Sequence, residues 1–244
     1  MGKFTSLRSF NKRMKKLVIA VFILLTSLGI FSLESDSLKG SIAILTSNVG
    51  DMEVSMTKDK KGDWVLKSHL DGGRIVQRKE EEVFRMEGNQ IKPLSYSFYQ
   101  KIFFKKAKSS ATFDWKNKNV LYKEGRKESS VALVEWTLGP STSQLQLRFD
   151  FKKLDLENLP EEMVYDVFSR GEVKRRAYRI VGIENIKTQM GEFSSYKVER
   201  VFSKESQRVQ EFWLAPELDF AIIRILDING RETSFEVKSF KILD

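Results

Sequence analysis

The chain contains no cysteine and only one histidine among its 244 residues. Without cysteine there is no disulfide framework, thiolate nucleophile, cysteine zinc site or lipid-attachment cysteine. His69 has no serine or carboxylate at a recognisable catalytic spacing, and a metal site needs several ligands. The sequence therefore predicts no catalytic residue, no metal and no cofactor, and we expect a protein that is not an enzyme.

Motifs that bind phosphate or that carry a catalytic nucleophile are also missing. The Gly72-Gly73-Arg74 step has no following Lys-Ser/Thr pair, and no GxSxG nucleophile motif occurs. The net charge of +9 comes largely from residues 1–33, which hold six basic and no acidic side chains. The remainder has 42 − 6 = 36 basic and 33 acidic residues, a balance that predicts no nucleic-acid partner.

An uncharged apolar run of 15 residues, 17–31, follows the basic N-terminal stretch. This length is typical of the apolar region of a signal peptide, and an uncleaved membrane anchor is the alternative. We assign residues 1–33 to the signal peptide or N-terminal anchor, 34–40 to a linker, and 41–244 to a single β-rich exported domain. The basic flank is expected to hold the N-terminus in the cytoplasm, so the residues that follow the apolar run are expected to be exported.

Apolar residues in the exported part alternate with a period of two. Examples are Phe113 with Trp115, and Phe235 with Val237. After Val237 the pattern shifts phase before Phe240, as a β-bulge would require. Turn signals recur at short intervals, the strongest being Asn229-Gly230, a pair that predicts a hairpin with a type I′ turn because both of its residues tolerate a positive φ. The predicted fold is all-β: a curved antiparallel meander or half barrel with one or two short helices.

Residues 141–153 allow two interpretations. Pro140 and three hydroxyl residues favour a helix start, whereas the alternation of apolar residues from Leu145 to Phe151 favours a strand. The charge run Lys79 to Glu82 is expected to be a solvated loop or strand edge.

Five blocks occur in an order that resembles an exported bacterial family, domain-of-unknown-function family 3108. They are IKPLSYSF (91–98), FDWKNKNV (113–120), SQLQLRFDF (143–151), KRRAYRIVGIENIKTQMGEFSSYKVER (174–200) and EFWLAPELDFAIIRI (211–225). The resemblance implies a cell-envelope protein of Gram-negative bacteria with a mostly antiparallel β fold. Such a protein is expected in the periplasm, or anchored in the inner membrane and facing the periplasm if the N-terminal segment is not cleaved. It also favours a short helix at residues 143–151, and it implies no catalytic residues because the family has no assigned activity.

In the last block, Trp213 and Pro216 lie within a run of residues whose pattern otherwise predicts β-strands. Proline cannot donate a ladder hydrogen bond, so Ala215-Pro216-Glu217 is expected to form a corner between two strands. Trp213 is then expected to pack over that corner, with ligand lining as the alternative.

Aromatic residues carry the remaining hint of function. Residues 96–104 hold five aromatics in nine positions, with Lys101, Lys105 and Lys106 among and after them. A central strand packed on both faces accounts for this, and a concave apolar groove is the alternative. The basic residues at its rim would meet anionic head groups or a membrane surface. The candidate ligand-lining residues are Phe98, Phe113, Trp115, Trp136 and Trp213.

The sequence thus leaves three functional hypotheses. The first is a non-enzymatic envelope protein that binds an apolar, lipid-like or amphipathic ligand in a concave sheet. The second is an interaction module that pairs with an envelope protein partner through a sheet edge. The third is a hydrolase with an unrecognised site.

Overall fold

The computed structural model of the protein describes residues 38–243. The expected signal peptide or anchor at residues 1–33 lies outside the described residues, as do residues 34–37 of the expected linker. Residues 39–244 form one compact unit of the chain. Among residues 38–243, no helix has the length and hydropathy that a membrane span requires.

Fourteen strands and one α-helix make up the described chain, together with a 3₁₀ turn at Pro216–Leu218. The first eight strands are β1 (Ser41–Ser47), β2 (Gly50–Lys58), β3 (Trp64–Gly72), β4 (Val76–Glu87), β5 (Gln90–Ile102), β6 (Lys105–Asp114), β7 (Asn119–Glu124) and β8 (Lys127–Ala132). The helix α1 (Thr142–Phe151) follows. The remaining strands are β9 (Glu162–Ser169), β10 (Glu172–Thr188), β11 (Gly191–Val201), β12 (Val209–Ala215), β13 (Ala221–Ile228) and β14 (Glu232–Ile242).

All fourteen strands form one antiparallel sheet in the order β8-β7-β6-β5-β4-β3-β2-β1-β14-β13-β12-β11-β10-β9. Strands that follow each other in sequence pair throughout, except β8 and β9, and β1 pairs with β14 in the middle of the sheet. The two edge strands are therefore β8 and β9, and the segment between them carries α1. The all-β prediction of a curved antiparallel meander with short helices is confirmed.

Local features of the sheet follow the sequence signals closely. The expected bulge before Phe240 lies at Lys238, where the register of β1 with β14 shifts. The Asn229-Gly230 hairpin is confirmed, but its turn differs from the expected type. Ile228 pairs with Glu232, so the loop has three residues, and in it only Gly230 has a positive φ, of 73°. The prediction of a two-residue turn with two positive φ values is therefore wrong.

The sheet curls until its two edge regions meet. Phe168 of β9 lies 5.7 Å from the ring centroid of Phe113 and 5.6 Å from that of Tyr122, both in edge-on geometry. These residues belong to strands β6 and β7, near the opposite edge. Edge-on aromatic pairs add to the stabilisation from apolar burial, so this cluster holds the curled sheet together.

The concave face of the curled sheet is filled by α1. Leu147 and Phe151 of the helix pack against Tyr178, Tyr196 and Phe212 of strands β10 to β12. Polar helix residues such as Thr142, Ser143 and Gln146 are also buried. A helix buried on nearly all sides lacks an amphipathic pattern, so its apolar spacing resembled a strand. The helix favoured by the family resemblance is confirmed.

The two edges of the sheet differ in how they are covered. The Leu138 N–H donates to the Asp166 carbonyl at 2.8 Å, and the Phe168 N–H donates to the Leu138 carbonyl at 2.8 Å. This short parallel bridge covers part of the β9 edge. Strand β8 pairs with β7 alone among the described strands, and five of its six residues are exposed. The outer edge of β8 is therefore paired with no strand of the described chain.

Candidate functional site

The N-terminus of α1 is fixed to the sheet by one carboxylate, that of Glu82 on β4. Glu82 Oε2 accepts the backbone N–H groups of Ser141 and Thr142 at 3.0 and 2.9 Å. Its Oε1 accepts the Thr142 hydroxyl at 2.8 Å. The first N–H groups of a helix have no partner within the helix, and they carry a partial positive charge. A carboxylate is therefore well matched to this position.

Glu82 is fully buried, which alters its ionisation. Burial disfavours the charged form and raises the pKa of Glu82 to about 7, although the hydrogen bonds from Thr142 and Ser141 oppose the rise. The neighbouring Glu80 carboxylate adds a smaller contribution in the same direction. Glu80 is itself held by Arg78 and by the Ser141 hydroxyl, the latter at 3.0 Å. The expectation that this charge run is solvated is wrong for Glu80 and Glu82.

A second polar anchor lies one turn further along the helix. The buried Gln146 side chain accepts the Ile91 N–H at 2.9 Å. It donates to the Asn89 carbonyl at 3.0 Å and to Asp150 at 2.9 Å. Asp150 also accepts the Tyr165 hydroxyl at 2.7 Å, and burial raises the pKa of Tyr165, which keeps that phenol neutral. This network joins α1 to β5 and β9.

The opposite side of α1 is held to the corner between β12 and β13. Arg148 donates to the Asp219 carbonyl and carboxylate, both at 2.8 Å, and Lys152 also pairs with that carboxylate. Asp219 has a φ of 59° and follows the 3₁₀ turn. The helix is thereby fixed at both sides, and it covers the part of the concave face against which it packs.

The structure brings together two of the five candidate ligand-lining residues. Phe113 is buried, and its ring stacks on Trp115 at a centroid distance of 6.4 Å. The Trp115 indole N–H donates to the Pro93 carbonyl at 2.6 Å, and Lys92 lies over the ring. Phe98 is half-buried on β5 beneath the Arg78 guanidinium, at 5.5 Å. These three residues contact protein groups in the sheet.

Trp213 lies on β12, the strand that leads into the corner at Pro216. Its indole N–H donates to Glu184 at 2.8 Å, and the cations of Lys197 and Arg224 lie 5.3 and 5.1 Å from the ring centre. It is 4% exposed and belongs to a cluster on the face of β12 opposite Phe212. The expected corner at Ala215-Pro216-Glu217 is present, with Pro216 opening the 3₁₀ turn.

Trp136 occupies a different environment from the other four candidates. It is 44% exposed and has a φ of 64°, a conformation that bulky side chains rarely adopt. It lines a pocket of about 430 Å³ between α1, the loop after β8 and the start of β9. The lining residues are Gln90, Glu135, Trp136, Leu138, Asp150, Met163, Val164, Tyr165 and Asp166.

The lining of this pocket, termed here the Trp136 pocket, has two kinds of surface. Trp136, Leu138 and Val164 are among its apolar groups. Glu135, Asp150 and Asp166 are the acidic residues of its lining, and none of the lysines or arginines among residues 38–243 lines it. An indole face beside carboxylates is suited to a group that combines apolar surface with positive charge. Among residues 38–243, no group of His, Asp or Glu side chains is arranged to hold a metal ion.

No sequence pattern predicted several of the residues that hold α1 beside the Trp136 pocket. Glu82 meets Ser141 and Thr142 across 59 and 60 positions of the chain, and Gln146 meets Ile91 across 55. Neither contact follows from periodicity or spacing. Only Trp136 among the candidate ligand-lining residues lines the pocket, and His69 lies exposed on β3.

Comparisons with known proteins address the fold and family. No curated protein matches the chain. A crystal structure described as a beta-barrel-like protein of domain of unknown function DUF1849 from Brucella abortus is similar, with a TM-score of 0.53 and 12% identity. The match covers 85% of this chain and 99% of that one, and at this identity it supports the fold alone. The model of a protein family of unknown function, DUF3108, matches residues 41–233, and the chain therefore belongs to the DUF3108 family.

Proposed function

We propose that this protein is a non-enzymatic component of the bacterial cell envelope that binds an amphipathic ligand in the Trp136 pocket. The observation that carries the proposal is the position of Trp136, which is 44% exposed at the pocket although its backbone has a φ of 64°. Such a conformation costs roughly 1–3 kcal/mol and is often found at ligand sites. Apolar pockets with a few polar groups are the usual form of a small-molecule site.

The charges of the pocket restrict the class of ligand. A fatty acid or other anionic amphiphile would place its carboxylate near Glu135, Asp150 and Asp166, and like charges would repel it. A cationic ammonium group would be attracted by the same carboxylates and by the indole face of Trp136. The preferred ligand is therefore an amphiphile with a positively charged amine head group.

The ligand would occupy the pocket rather than the concave face that the sequence suggested. That face is filled by α1, which is tied to the sheet through Glu82, Gln146 and Arg148. Two of the polar groups nearest the pocket already bond to each other, since Tyr165 donates to Asp150. Such an arrangement is suited to holding a ligand and leaves no free nucleophile with an adjacent base.

Export of the protein is part of this proposal. It rests on the uncharged run at residues 17–31 and on the basic residues that precede it. The protein would then act in the periplasm, or on the periplasmic side of the inner membrane.

The ligand class can be tested with two probes that share one alkyl chain. Octyltrimethylammonium and octanesulfonate, each below its micelle concentration, are titrated into residues 39–244 by calorimetry. We expect saturable binding of the cation, at least tenfold tighter than that of the anion. The substitution Trp136→Gly, which suits a positive φ, should weaken cation binding at least tenfold, whereas Leu121→Ser, at an exposed position of β7, should not change it. Equal binding of both probes, or no effect of Trp136→Gly, would overturn the proposal.

A second candidate function is pairing of an envelope protein with the open edge of β8. Its supporting observation is that β8 pairs on one side only, whereas the β9 edge is partly covered by Leu138. Glu124 and Lys127 close a two-residue turn, so alternation points the backbone N–H of Ser130 outward. Ser130→Pro should abolish capture of a partner through this edge while leaving ligand binding at the pocket unchanged.

A further inference from the structure

Two neighbouring hairpin turns form an exposed apolar tip at one end of the sheet. Phe103 and Phe104 connect β5 to β6, and Ile75 connects β3 to β4. The Phe103 N–H donates to the Ile75 carbonyl at 2.8 Å, which holds the two turns side by side. Phe104 is 96% exposed, and Ile75 and Phe103 are 59% and 58% exposed. The tip thus presents three large apolar side chains to solvent.

The turn at this tip has an unfavourable sequence for its geometry. Two-residue hairpin loops favour Asn-Gly or similar pairs, because they need positive φ values. Here the loop is Phe103-Phe104, and Phe103 has a φ of 51°. Asparagine or glycine at position 103 would suit this conformation better than phenylalanine does. Folding alone therefore does not explain two phenylalanines at this turn.

The tip is surrounded by positive charge. Residues 72–78 and 99–108 contain six basic and no acidic side chains. Lys101 lies directly opposite Lys106 in the β5–β6 ladder, a like-charge pair that destabilises the isolated hairpin. Of the six, only Arg78 forms an ion pair within residues 38–243, with Glu80. An anionic surface beside the tip would relieve the repulsion between these lysines.

We infer that this tip docks the protein on the surface of a bilayer that contains anionic phospholipid. Phe103 and Phe104 would enter the interfacial region, while Lys105 and Lys106 would lie at the level of the phosphate groups. Apolar side chains flanked by lysines are the combination by which peripheral proteins bind anionic membranes. The complementary charge favours a lipid surface over a second copy of this basic tip.

This surface is separate from the Trp136 pocket. Gln90 at one end of β5 lines the pocket, and Ile102 at the other end adjoins the tip. Twelve steps along a strand span roughly 40 Å. Docking by the tip would leave the pocket away from the membrane and accessible. The inference goes beyond the proposed function and does not depend on it.

The test is cosedimentation of residues 39–244, whose fourteen strands pair among themselves, with sucrose-loaded vesicles. One set contains phosphatidylglycerol and phosphatidylethanolamine in equal parts, and the other contains phosphatidylcholine only. We expect binding to the anionic vesicles, at least tenfold weaker binding to phosphatidylcholine, and loss of binding with rising salt as charges are screened. Melting temperatures are measured for every variant.

Two matched pairs of variants locate the binding surface. The double substitution Phe103→Asn with Phe104→Gly should weaken binding to anionic vesicles at least tenfold without lowering the melting temperature, since it suits the turn. Lys105→Glu with Lys106→Glu should also weaken binding at least tenfold. Lys60→Glu with Lys61→Glu changes net charge equally, but these residues are exposed at the opposite end of the sheet. That control should retain binding to within about threefold.

Three results would overturn the inference. The first is no binding of the wild-type fragment to anionic vesicles at low salt. The second is unchanged binding of the Phe103→Asn and Phe104→Gly variant. The third is an equal loss in the Lys60→Glu and Lys61→Glu control, which would indicate diffuse attraction by net charge. None of these results affects the calorimetric test of the Trp136 pocket.

Discussion

Thr142 donates both its backbone N–H and its hydroxyl group to the carboxylate of Glu82, at 2.9 and 2.8 Å. This double contact fixes the first turn of α1 against β4. The hydroxyl oxygen of Thr142 in turn accepts the Gly139 N–H at 2.9 Å, so the chain entering the helix is held as well. The position of α1 beside the Trp136 pocket therefore depends in part on this buried carboxyl group.

The first prediction concerns the pH dependence of stability. The folded-state pKa of Glu82, about 7, lies above its value of 4.5 in the unfolded chain. The folded protein then binds the extra proton between these values, so the free energy of unfolding should decrease as pH rises from about 4.5 to 7. A shift of this size corresponds to a loss of about 3 kcal/mol. Glu82→Gln should remove most of this decrease, as measured by urea unfolding between pH 5 and 7.5.

The control for this prediction is Glu81→Gln on the same strand. Glu81 is about half exposed and pairs with Lys67 at the surface, so its substitution should leave the pH dependence unchanged. Carboxylates whose pKa values are lowered, such as Asp51 and Asp63, contribute stability that is lost only at more acidic pH. A wild-type slope in Glu82→Gln between pH 5 and 7.5 would show that Glu82 does not titrate there.

The second prediction concerns Gly139, which lies directly against Glu82. A Cβ atom at Gly139 would overlap the Glu82 carboxyl group, and that group cannot move without losing its hydrogen bonds. We expect Gly139→Ala to destabilise the fold by about 1–3 kcal/mol. In a double-mutant cycle with Glu82→Ala the two effects should be non-additive by at least about 1 kcal/mol. Additive effects in urea unfolding would contradict the contact.

The third prediction concerns the buried amide of Gln146. Gln146→Met keeps a similar volume but leaves the Ile91 N–H and the Asn89 carbonyl without their partner. An unsatisfied buried polar group costs about 1–3 kcal/mol, so we expect a loss of at least about 2 kcal/mol in thermal or urea unfolding. Gln144→Met on the same helix is the control, since Gln144 is half-buried, and it should change stability by less than about 0.5 kcal/mol. Equal effects of the two substitutions would refute the anchoring role.

The fourth prediction separates Trp213 from Trp136. Trp213→Phe removes the hydrogen bond to Glu184 and part of a buried ring, so we expect a loss of about 1–3 kcal/mol in the free energy of unfolding. Trp136→Phe changes an exposed side chain and should alter stability by less than about 0.5 kcal/mol. A large loss for Trp136→Phe would indicate that this residue serves folding rather than ligand binding.

Much of the sheet could be predicted because its signals are local. The alternation at Phe235 and Val237 identified a strand, the phase shift before Phe240 located the bulge at Lys238, and Pro216 marked the corner after Trp213. These features depend on a few consecutive residues and on backbone geometry. They need no information about which distant segments meet.

The interior of the sheet could not be predicted in the same way. Glu82 lies in an acidic run that suggests solvent exposure, and only its contact with Thr142, 60 positions away, explains its burial. Whether a concave sheet is empty or filled depends on the packing of α1, which is a tertiary property. Trp136 was predicted as a ligand-lining residue, but the sequence shows neither its exposure nor its positive φ.

The central claim, an amphipathic ligand in the Trp136 pocket, is tested most directly by mass spectrometry of organic extracts. Residues 39–244 are exported to the periplasm and purified without detergent, alongside the Trp136→Gly variant and the Phe103→Asn, Phe104→Gly variant. The account predicts a near-stoichiometric cationic amphiphile in the wild type, lost in Trp136→Gly and retained in the tip variant. A folded wild-type protein with no such ligand, or a ligand retained in Trp136→Gly, would contradict it.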